Sequence, residues 1–379
     1  GYESRSLPVT ADFSCVRLKP KTTQLKDVIV EAPDIYAKGD TLVFNVAKYA
    51  NAWDNAIIDV LKRLPGIKVE EDGTIKYQGK PINKFYLDGN DFIGGQYGLA
   101  TNNISHKDVA SVEVMENHQP IKALEGIEFP EEAGINLKLK EDARSRWVGV
   151  AQAAAGVQPF LYDGSLYTMR IAPKNQNIIT LKADNTGWNP ANEIQEHDFD
   201  DMFSSDYTST LWPEYISADI VNAPLSEKRT RDNLSWLANA ITAWKSGDTS
   251  MRLKFNYAGD RLDYNSGMTT DYFSSQIPQF VQNNSQRTQT HDLSAQFFSQ
   301  TNKRGYYLKE KLTVAGVFDK SNSEITGSFD LTQRVRRNSL SVNNDLKLVK
   351  RNEKKMFTLI SRNTFEHRPD RLIAAGVEN

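Results

Sequence analysis

From about residue 144 onward the chain repeats one feature that limits its fold more than any other: alternation of apolar and polar residues with a period of two. Side chains point to opposite faces at successive strand positions, so this period describes strands buried on one face only. Between Ser250 and Asp260, Met251, Leu253, Phe255 and Tyr257 share one side, against Ser250, Arg252, Lys254 and Asn256. Between Asp292 and Gln300, Leu293, Ala295 and Phe297 oppose Asp292, Ser294 and Gln296. Tyr306, Leu308, Leu312, Val314 and Phe318 share a face that Glu310 interrupts. Ile179, Leu181 and Ala183 oppose Thr180, Lys182 and Asp184, with Ile178 on the polar side. The pattern yields about nine strands: 146–157, 165–172, 177–185, 231–244, 249–260, 288–300, 305–318, 336–350 and 355–366.

The connections alternate as well. Short polar turns are expected at Pro173–Gln176, Lys245–Asp248, Thr301–Gly305 and Arg351–Lys354, with longer links at Thr186–Arg229 and Arg261–Thr288. Short turns at one end and long loops at the other is the pattern of an outer-membrane barrel. A soluble sandwich would alternate too, but would not sort its loops this way. Trp147, Trp244, Tyr306, Tyr307 and Phe357 lie near the short-turn ends, where an interfacial aromatic girdle would sit. No apolar run reaches the length of a membrane-spanning helix; the longest, Trp147 to Val157, contains Gln152. The net charge of -2 offers no basic surface for nucleic acid. Cys15 stands alone and the five histidines are scattered, so no metal site and no cofactor are expected.

Before residue 143 the signals are those of a small α+β domain. Ala52–Leu64 reads as a helix with Ala56, Ile57, Val60, Leu61 and Leu64 on one face, stopped by Pro65-Gly66. Ile67–Val69 and Thr74–Tyr77 flank a hairpin turn. Phe85–Leu87, Val112–Val114 and Ile135–Leu139 read as strands, and Ser105 as the cap of a short helix leading into Val109. Leu61, Ile67, Leu87, Val112 and Val114 are the expected core.

Five short motifs, Leu61–Val69, Ile75–Gly79, Phe85–Gly89, Val109–Glu116 and Ala133–Leu137, resemble, in that order, those of TonB-dependent receptor plugs. Leu61–Val69, with Pro65 and Gly66, is similar to their helix, Pro-Gly and Val-x-Val opening. Ile75–Gly79 resembles an Ile-x-Ile-Arg-Gly strand, with Gln78 before Gly79 in place of the arginine. Phe85–Gly89 resembles Val-Leu-Ile-Asp-Gly, ending in Asp88 and Gly89. Val109–Glu116 resembles Ile-Glu-Arg-Ile-Glu-Val, although Asn117-His118-Gln119-Pro120 follows where Gly-Pro is usual. Ala133–Leu137, with Gly134 and Asn136, resembles the closing Gly-Gly-Val-Ile-Asn strand. The resemblance implies a small α+β plug domain at 34–143. An incomplete antiparallel transmembrane β-barrel would follow at 144–379, about nine strands of a larger one, since plugged transporter barrels have about 22. The opening at Gly1 without methionine fits a piece of a longer chain.

Residues 1–24 resemble the tail of a carboxypeptidase-regulatory-like β-sandwich, a module that precedes the plug in Bacteroidota-type receptors. Residues 25–33 look like a TonB-box-like linker, in which Asp27, Val28, Ile29, Val30 and Glu31 would add as a strand to a partner's sheet edge; a last sandwich strand is the alternative. The resemblance implies residence in the outer membrane of a Gram-negative-type bacterium, among outer-membrane lipid. It implies energy-coupled uptake of an unknown extracellular substrate through a TonB-type energy-coupling protein; the plug motifs do not closely match those of the glycan-importing receptors, so the resemblance leaves a surface lipoprotein partner open. A non-transporting barrel for adhesion or surface assembly is the alternative. An enzyme would need a Ser/His/Asp constellation, which the sequence does not display.

Gly66, Gly79, Gly89 and Gly134 are expected to serve backbone geometry, and Asp88 to form a turn. Glu125, Glu128, Glu131 and Glu132 read as a solvated linker. Tyr207, Trp212 and Tyr215, with Trp188, are substrate-contact candidates in the longest loop.

Overall fold

The computed structural model describes residues 2–4, 6, 17–20, 33–70, 73–172, 174–197, 225–273 and 278–378. The chain forms two compact units, Gly1–Pro33 and Asp34–Asn379. In the first, Tyr2 and Pro20 form an antiparallel bridge, and the Glu3 amide donates to the Lys19 carbonyl at 2.9 Å. Val16 and the whole box-like segment Asp27–Ala32 lie outside the described residues.

The second unit begins with an α+β module. Strands β1 (Ile35–Lys38), β2 (Thr41–Asn45), β6 (Lys84–Leu87), β7 (Val109–Met115) and β8 (Gly134–Leu139) form a sheet in the order β1-β2-β7-β8-β6, with β6 and β8 parallel. Strands β3 (Ile67–Val69), β4 (Ile75–Tyr77) and β5 (Lys80–Pro81) form a second sheet. Helices α1 (Val46–Tyr49), α2 (Ile57–Leu61) and α3 (Gly98–Thr101) complete the module. Leu61, Leu87, Val112 and Val114 are fully enclosed, and Ile67 is buried with them.

The expected helix over 52–64 is shorter than its apolar stripe. The Asn51 amide donates to Asp54 Oδ2 at 2.7 Å, making a turn there, and Ala56 bridges Ser105 in extended form. The helix therefore starts only at Ile57, where the Asp59 carboxylate accepts from the Asn55 and Ala56 amides at 3.1 and 3.3 Å. Ser105 Oγ accepts from the Lys107 amide at 3.3 Å and caps a single 3₁₀ turn, His106–Asp108.

The alternating region forms one antiparallel meander. Its strands are β9 (Trp147–Gly156), β10 (Leu161–Ile171), β11 (Asn175–Asp184), β12 (Asp232–Ser246), β13 (Thr249–Thr270), β14 (Phe280–Lys303), β15 (Tyr306–Gly327), β16 (Phe329–Arg351), β17 (Met356–His367) and β18 (Arg371–Glu378). The sheet has ten strands where about nine were expected. The tenth arises because β17 and β18 both pair with β16 in a single register, separated at Arg368-Pro369-Asp370. Proline has no amide hydrogen to give to the ladder, so the ninth strand is split in two there.

The strands also run much further than the hydrophobic signal. β13 to β16 span 22–24 residues each, and the expected long link at 261–288 shrinks to 271–279. Ser328 alone separates β15 from β16. In these outer stretches the outer face is polar: Arg261, Asp263, Arg287, Lys320, Arg334 and Arg336 occupy the side that is apolar lower down, while the inner face is mixed, with Ile325 and Val335 buried on it. The apolar outer period is lost while backbone pairing continues, for example Gly267 with Asn283 and Ser323 with Gln333.

Below that level the two faces differ. Ile179, Leu181, Phe255, Leu293, Leu312, Val314, Phe318, Leu340 and Phe365 are exposed on the outer face. On β15 this band runs from Tyr306 to Phe318; at ~3.3 Å per residue and a ~45° tilt its height is roughly 28 Å, the thickness of a bilayer's hydrocarbon core. The inner face packs on the α+β module. Tyr167, Met169, Ile171, Ile178, Ile241 and Ala243 of the strands join one core with Phe44, Leu61, Leu87 and Ile135 of the module. Ile178, which breaks the alternation, is thereby buried. Tyr307 corrects the girdle: it faces inward and is buried with Ile121, Ala123, Leu124 and Val349. Trp147 and Phe357 remain exposed on the outer face.

Candidate functional site between the module and the strand wall

The turn residues of the module fall into two groups. Gln78 and Gly79 take φ of 48° and 85°, and Asp88 and Gly89 take 53° and 79°. Left-handed values at both central positions give the two-residue turn that matches strand twist. In the first group the Gln78 amide donates to the Gly66 carbonyl at 2.8 Å, next to Pro65, and Gln78 Nε2 donates to the Tyr77 hydroxyl at 3.1 Å. In the second, the Gly89 amide donates to Asn136 Oδ1 at 2.9 Å and Asn136 Nδ2 donates to Glu113 at 2.6 Å. Arg144 Nε lies 2.7 Å from Asp88 Oδ2. Asp88, Gly89 and Asn136 are thus brought together as a tie between strands. Gly134 differs from the others. Its φ is not positive; a Cβ there would lie 2.7 Å from the His118 ring.

Among the described residues, ion pairs link the wall to what packs on its inner face. Arg252 Nη1 donates to the Asp91 carbonyl and to Asp91 Oδ1, both at 3.1 Å, while Lys84 Nζ lies 3.1 Å from Asp91 Oδ2. The guanidinium packs on Gly94 and lies 4.4 Å over the Phe298 ring. Burial would push the Asp91 carboxyl up, but the two cations outweigh it and hold it below the usual carboxylate range. Lys254 Nζ reaches Glu196 at 2.7 Å and Lys182 Nζ reaches Glu193 at 2.6 Å. Both carboxylates belong to the stretch after β11, which folds onto the module. There Gln96 Nε2 donates to the Ile194 carbonyl at 2.7 Å, and the His197 ring stacks on Tyr97 at 5.1 Å.

At the short-turn end a second contact holds the module. Asn302 Nδ2 donates to the Pro120 carbonyl at 2.8 Å and its Oδ1 accepts from the Lys122 amide at 3.0 Å. Arg351 Nη1 donates to the Ala123 and Glu125 carbonyls at 3.0 Å. Beside this clamp lies a cavity of about 520 Å³, lined among others by Lys84, Asp91, His118, Lys245 and Lys347. The sequence does not mark this clamp: Asn117–Pro120 departs from the motif, Glu125 reads as linker, and the apolar pair Ile121 and Leu124 is the one hint of packing.

The box candidates Asp27, Val28, Ile29, Val30 and Glu31 lie outside the described residues, as do the aromatics Tyr207, Trp212 and Tyr215. Trp188 is described; its amide donates to Asp184 at 3.2 Å and it anchors the start of the long link. Among the described residues no group of three or more His, Cys, Asp or Glu side chains is placed to hold a metal ion.

The geometry defines a class: a strand wall with an exposed apolar band on its outer face, whose inner face shares a core with an α+β module and grips it with buried ion pairs. Similar solved structures include the ferric yersiniabactin uptake receptor from Yersinia pestis, at 13% identity, 90% of this chain, 62% of that one and a TM-score of 0.30. The ferric preacinetobactin receptor from Acinetobacter baumannii gives 10%, 89%, 60% and 0.30, and a ferric citrate transporter gives 9%, 89%, 60% and 0.29. The chain therefore spans about 60% of the length of these structures. Identities and scores this low say nothing about substrate. No protein-family profile matches the chain, and no curated protein matches it.

Proposed function

We propose that the chain is the plug and the first barrel strands of a TonB-dependent-type receptor in the outer membrane of a Gram-negative-type bacterium, which takes up a solute into the periplasm. One observation carries this reading: the outer face of the wall is an apolar band of bilayer height, while its inner face shares a core with the module and grips it with buried ion pairs. A structural barrel has no need of an enclosed module, and an aqueous sandwich has no use for the exposed apolar band. In this reading residues 34–143 are the plug and 144–379 the start of the barrel. Residues 1–24 end a regulatory-like sandwich of the Bacteroidota type. Transport breaks no bond in the solute, so the protein is not an enzyme.

Energy coupling falls to Asp27–Glu31, a segment with three β-branched residues whose backbone adds to the sheet of a TonB-type protein. Tyr207, Trp212 and Tyr215 are the substrate-loop candidates, and a surface lipoprotein is a further partner of this class. The test is site-directed cross-linking in the full-length receptor in native membranes. Val28→Cys is expected to cross-link to the energy-coupling protein. Val28→Pro, which removes an amide donor, is expected to abolish uptake while leaving surface binding intact. Absence of a cross-link from every position 27–31 in correctly inserted receptor would favour the non-transporting alternative.

A further inference from the structure

Directly above the apolar band, the strand register lines up cations. On β15 the last apolar residue of the outer face is the exposed Phe318, and the next residue on that face is Lys320. Lys320 stands opposite Gln289 of β14 and Arg336 of β16. Gln289 in turn stands opposite Arg261 of β13, and Arg336 opposite Arg371 of β18. One cross-strand row therefore reads Arg261, Gln289, Lys320, Arg336, Arg371. Two positions further out, Arg287 and Arg334 belong to the next row. Asp263 pairs with Arg261 at 2.9 Å and with Arg287, and Arg334 Nε donates to Asn322 Oδ1 at 3.2 Å. Lys320, Arg336 and Arg371 are exposed, and among the described residues none of the three pairs with a carboxylate. The chain as a whole is slightly acidic, at -2, so the row is not a share of general basicity.

Like charges directly opposite one another on neighbouring strands repel. Lys320, Arg336 and Arg371 do so on three adjacent strands about 4.8 Å apart. Since no carboxylate of the described wall relieves them, their counter-charge comes from outside the chain. The level of the row identifies the source. From Phe318 to Lys320 is two residues, which at ~3.3 Å per residue and a ~45° tilt is a rise of roughly 5 Å. The polar layer on each side of a bilayer's hydrocarbon core is about 5–7 Å deep. The cations thus lie at headgroup level, continuous with the apolar surface beneath them. They stand at the end of the wall away from the short turns Gly247-Asp248 and Arg304-Gly305, which are periplasmic in an outer-membrane barrel. We infer that Lys320, Arg336 and Arg371, flanked by Arg261, Arg287 and Arg334, bind the phosphates of an anionic lipid in the outer leaflet. Three cations spread over about 10 Å match a headgroup that carries more than one phosphate. The inference rests on the reading of the wall as membrane-spanning, which insertion measurements test separately.

The experiment uses purified full-length receptor in detergent, titrated with diphosphoryl lipid A and with phosphatidylcholine and read by native mass spectrometry. The wild type is expected to bind the diphosphoryl lipid about tenfold or more tighter than phosphatidylcholine. Lys320→Gln/Arg336→Gln/Arg371→Gln should lose that preference, and Arg336→Lys/Arg371→Lys should keep it. Removing the same charge from the short-turn end, in Arg304→Gln/Lys354→Gln/Lys355→Gln, should leave it unchanged. Should the first triple variant fail to insert, Arg336→Gln alone decides, with an expected several-fold weaker hold on the diphosphoryl lipid. Equal affinity of the wild type for both lipids would overturn the inference. So would a preference that survives the first triple variant or disappears in the second. Complete displacement of the lipid by millimolar inorganic phosphate at constant ionic strength would mark a soluble-anion site and overturn it too. The heat-modifiable, inserted fraction is measured alongside. No lipid preference in correctly inserted receptor would remove the phosphate surface and leave the uptake reading standing, whereas a wild type that does not insert would sink both.

Discussion

At the residue scale, His118 shows how a side chain that looked like a departure from a pattern becomes a fixed part of the interior. Its Nε2 lies 2.9 Å from the Tyr86 hydroxyl, the two rings meet edge to face at 5.4 Å, and Gly134 leaves room for the imidazole. Burial, reinforced by the positive charge of Lys84, lowers its pKa from 6.5 to about 4. The unfolded chain therefore binds this proton at a higher pH than the folded one. The stabilising contribution is complete above pH 6.5 and is lost as the pH falls towards 4, a total of up to about 3 kcal/mol. Urea midpoints measured between pH 7 and 4 should fall accordingly in the wild type, and this component should vanish in His118→Gln. Arg252 carries a similar lesson. Alternation alone makes it a lumen-facing side chain that leucine could replace, but Arg252→Leu would take one of two counter-charges from the buried Asp91 carboxylate and leave it to Lys84.

At the scale of the element, the wall separates two faces that differ by a single residue of register. Leu312 is exposed on the apolar band, and Thr313 faces inward, within 3.4 Å of Gln296. A charge at mid-bilayer costs about 2–4 kcal/mol on the lipid face. Leu312→Arg should therefore reduce the heat-modifiable, membrane-inserted fraction strongly, and Thr313→Arg much less; equal losses would count against a transmembrane wall. The clamp at Pro120–Glu125 makes a separate prediction. Arg351→Ala removes both bonds to the Ala123 and Glu125 carbonyls, and a bond from a charged donor is worth roughly 1.5–3 kcal/mol. Hydrogen exchange of amides 121–128 should rise about tenfold or more while exchange in β7 stays unchanged. The strands themselves are legible wherever the outer face is apolar and illegible above the band, where polar residues on that face and a mixed inner face blur the period but not the ladder. The split at Pro369 was written in the sequence; that the register continues through it was not.

At the scale of the whole molecule, the strand wall is an open sheet. Among the described residues β9 pairs only with β10, and β17 and β18 only with β16, so two edges carry unpaired backbone groups. Unpaired edges recruit other strands. A polypeptide limited to residues 1–379 should therefore associate edge to edge in detergent, and sedimentation velocity should resolve species larger than the 42.8 kDa monomer. A strictly monomeric species would mean that the edges are shielded in some other way.

The sequence by itself determined the local structure. The hydrophobic period set strands against helices, Gln78-Gly79 and Asp88-Gly89 set the tight turns, and the apolar positions of the module set its core, because each of these is decided by neighbours within a few residues. Tertiary structure alone decided which polar residues matter together. Asp91 and Arg252, Glu196 and Lys254, and Ala123 and Arg351 are far apart in the chain, and no spacing rule links them. They meet because the wall curves its inward face onto the module, and a buried charge there is stable only beside the counter-charge that the fold delivers.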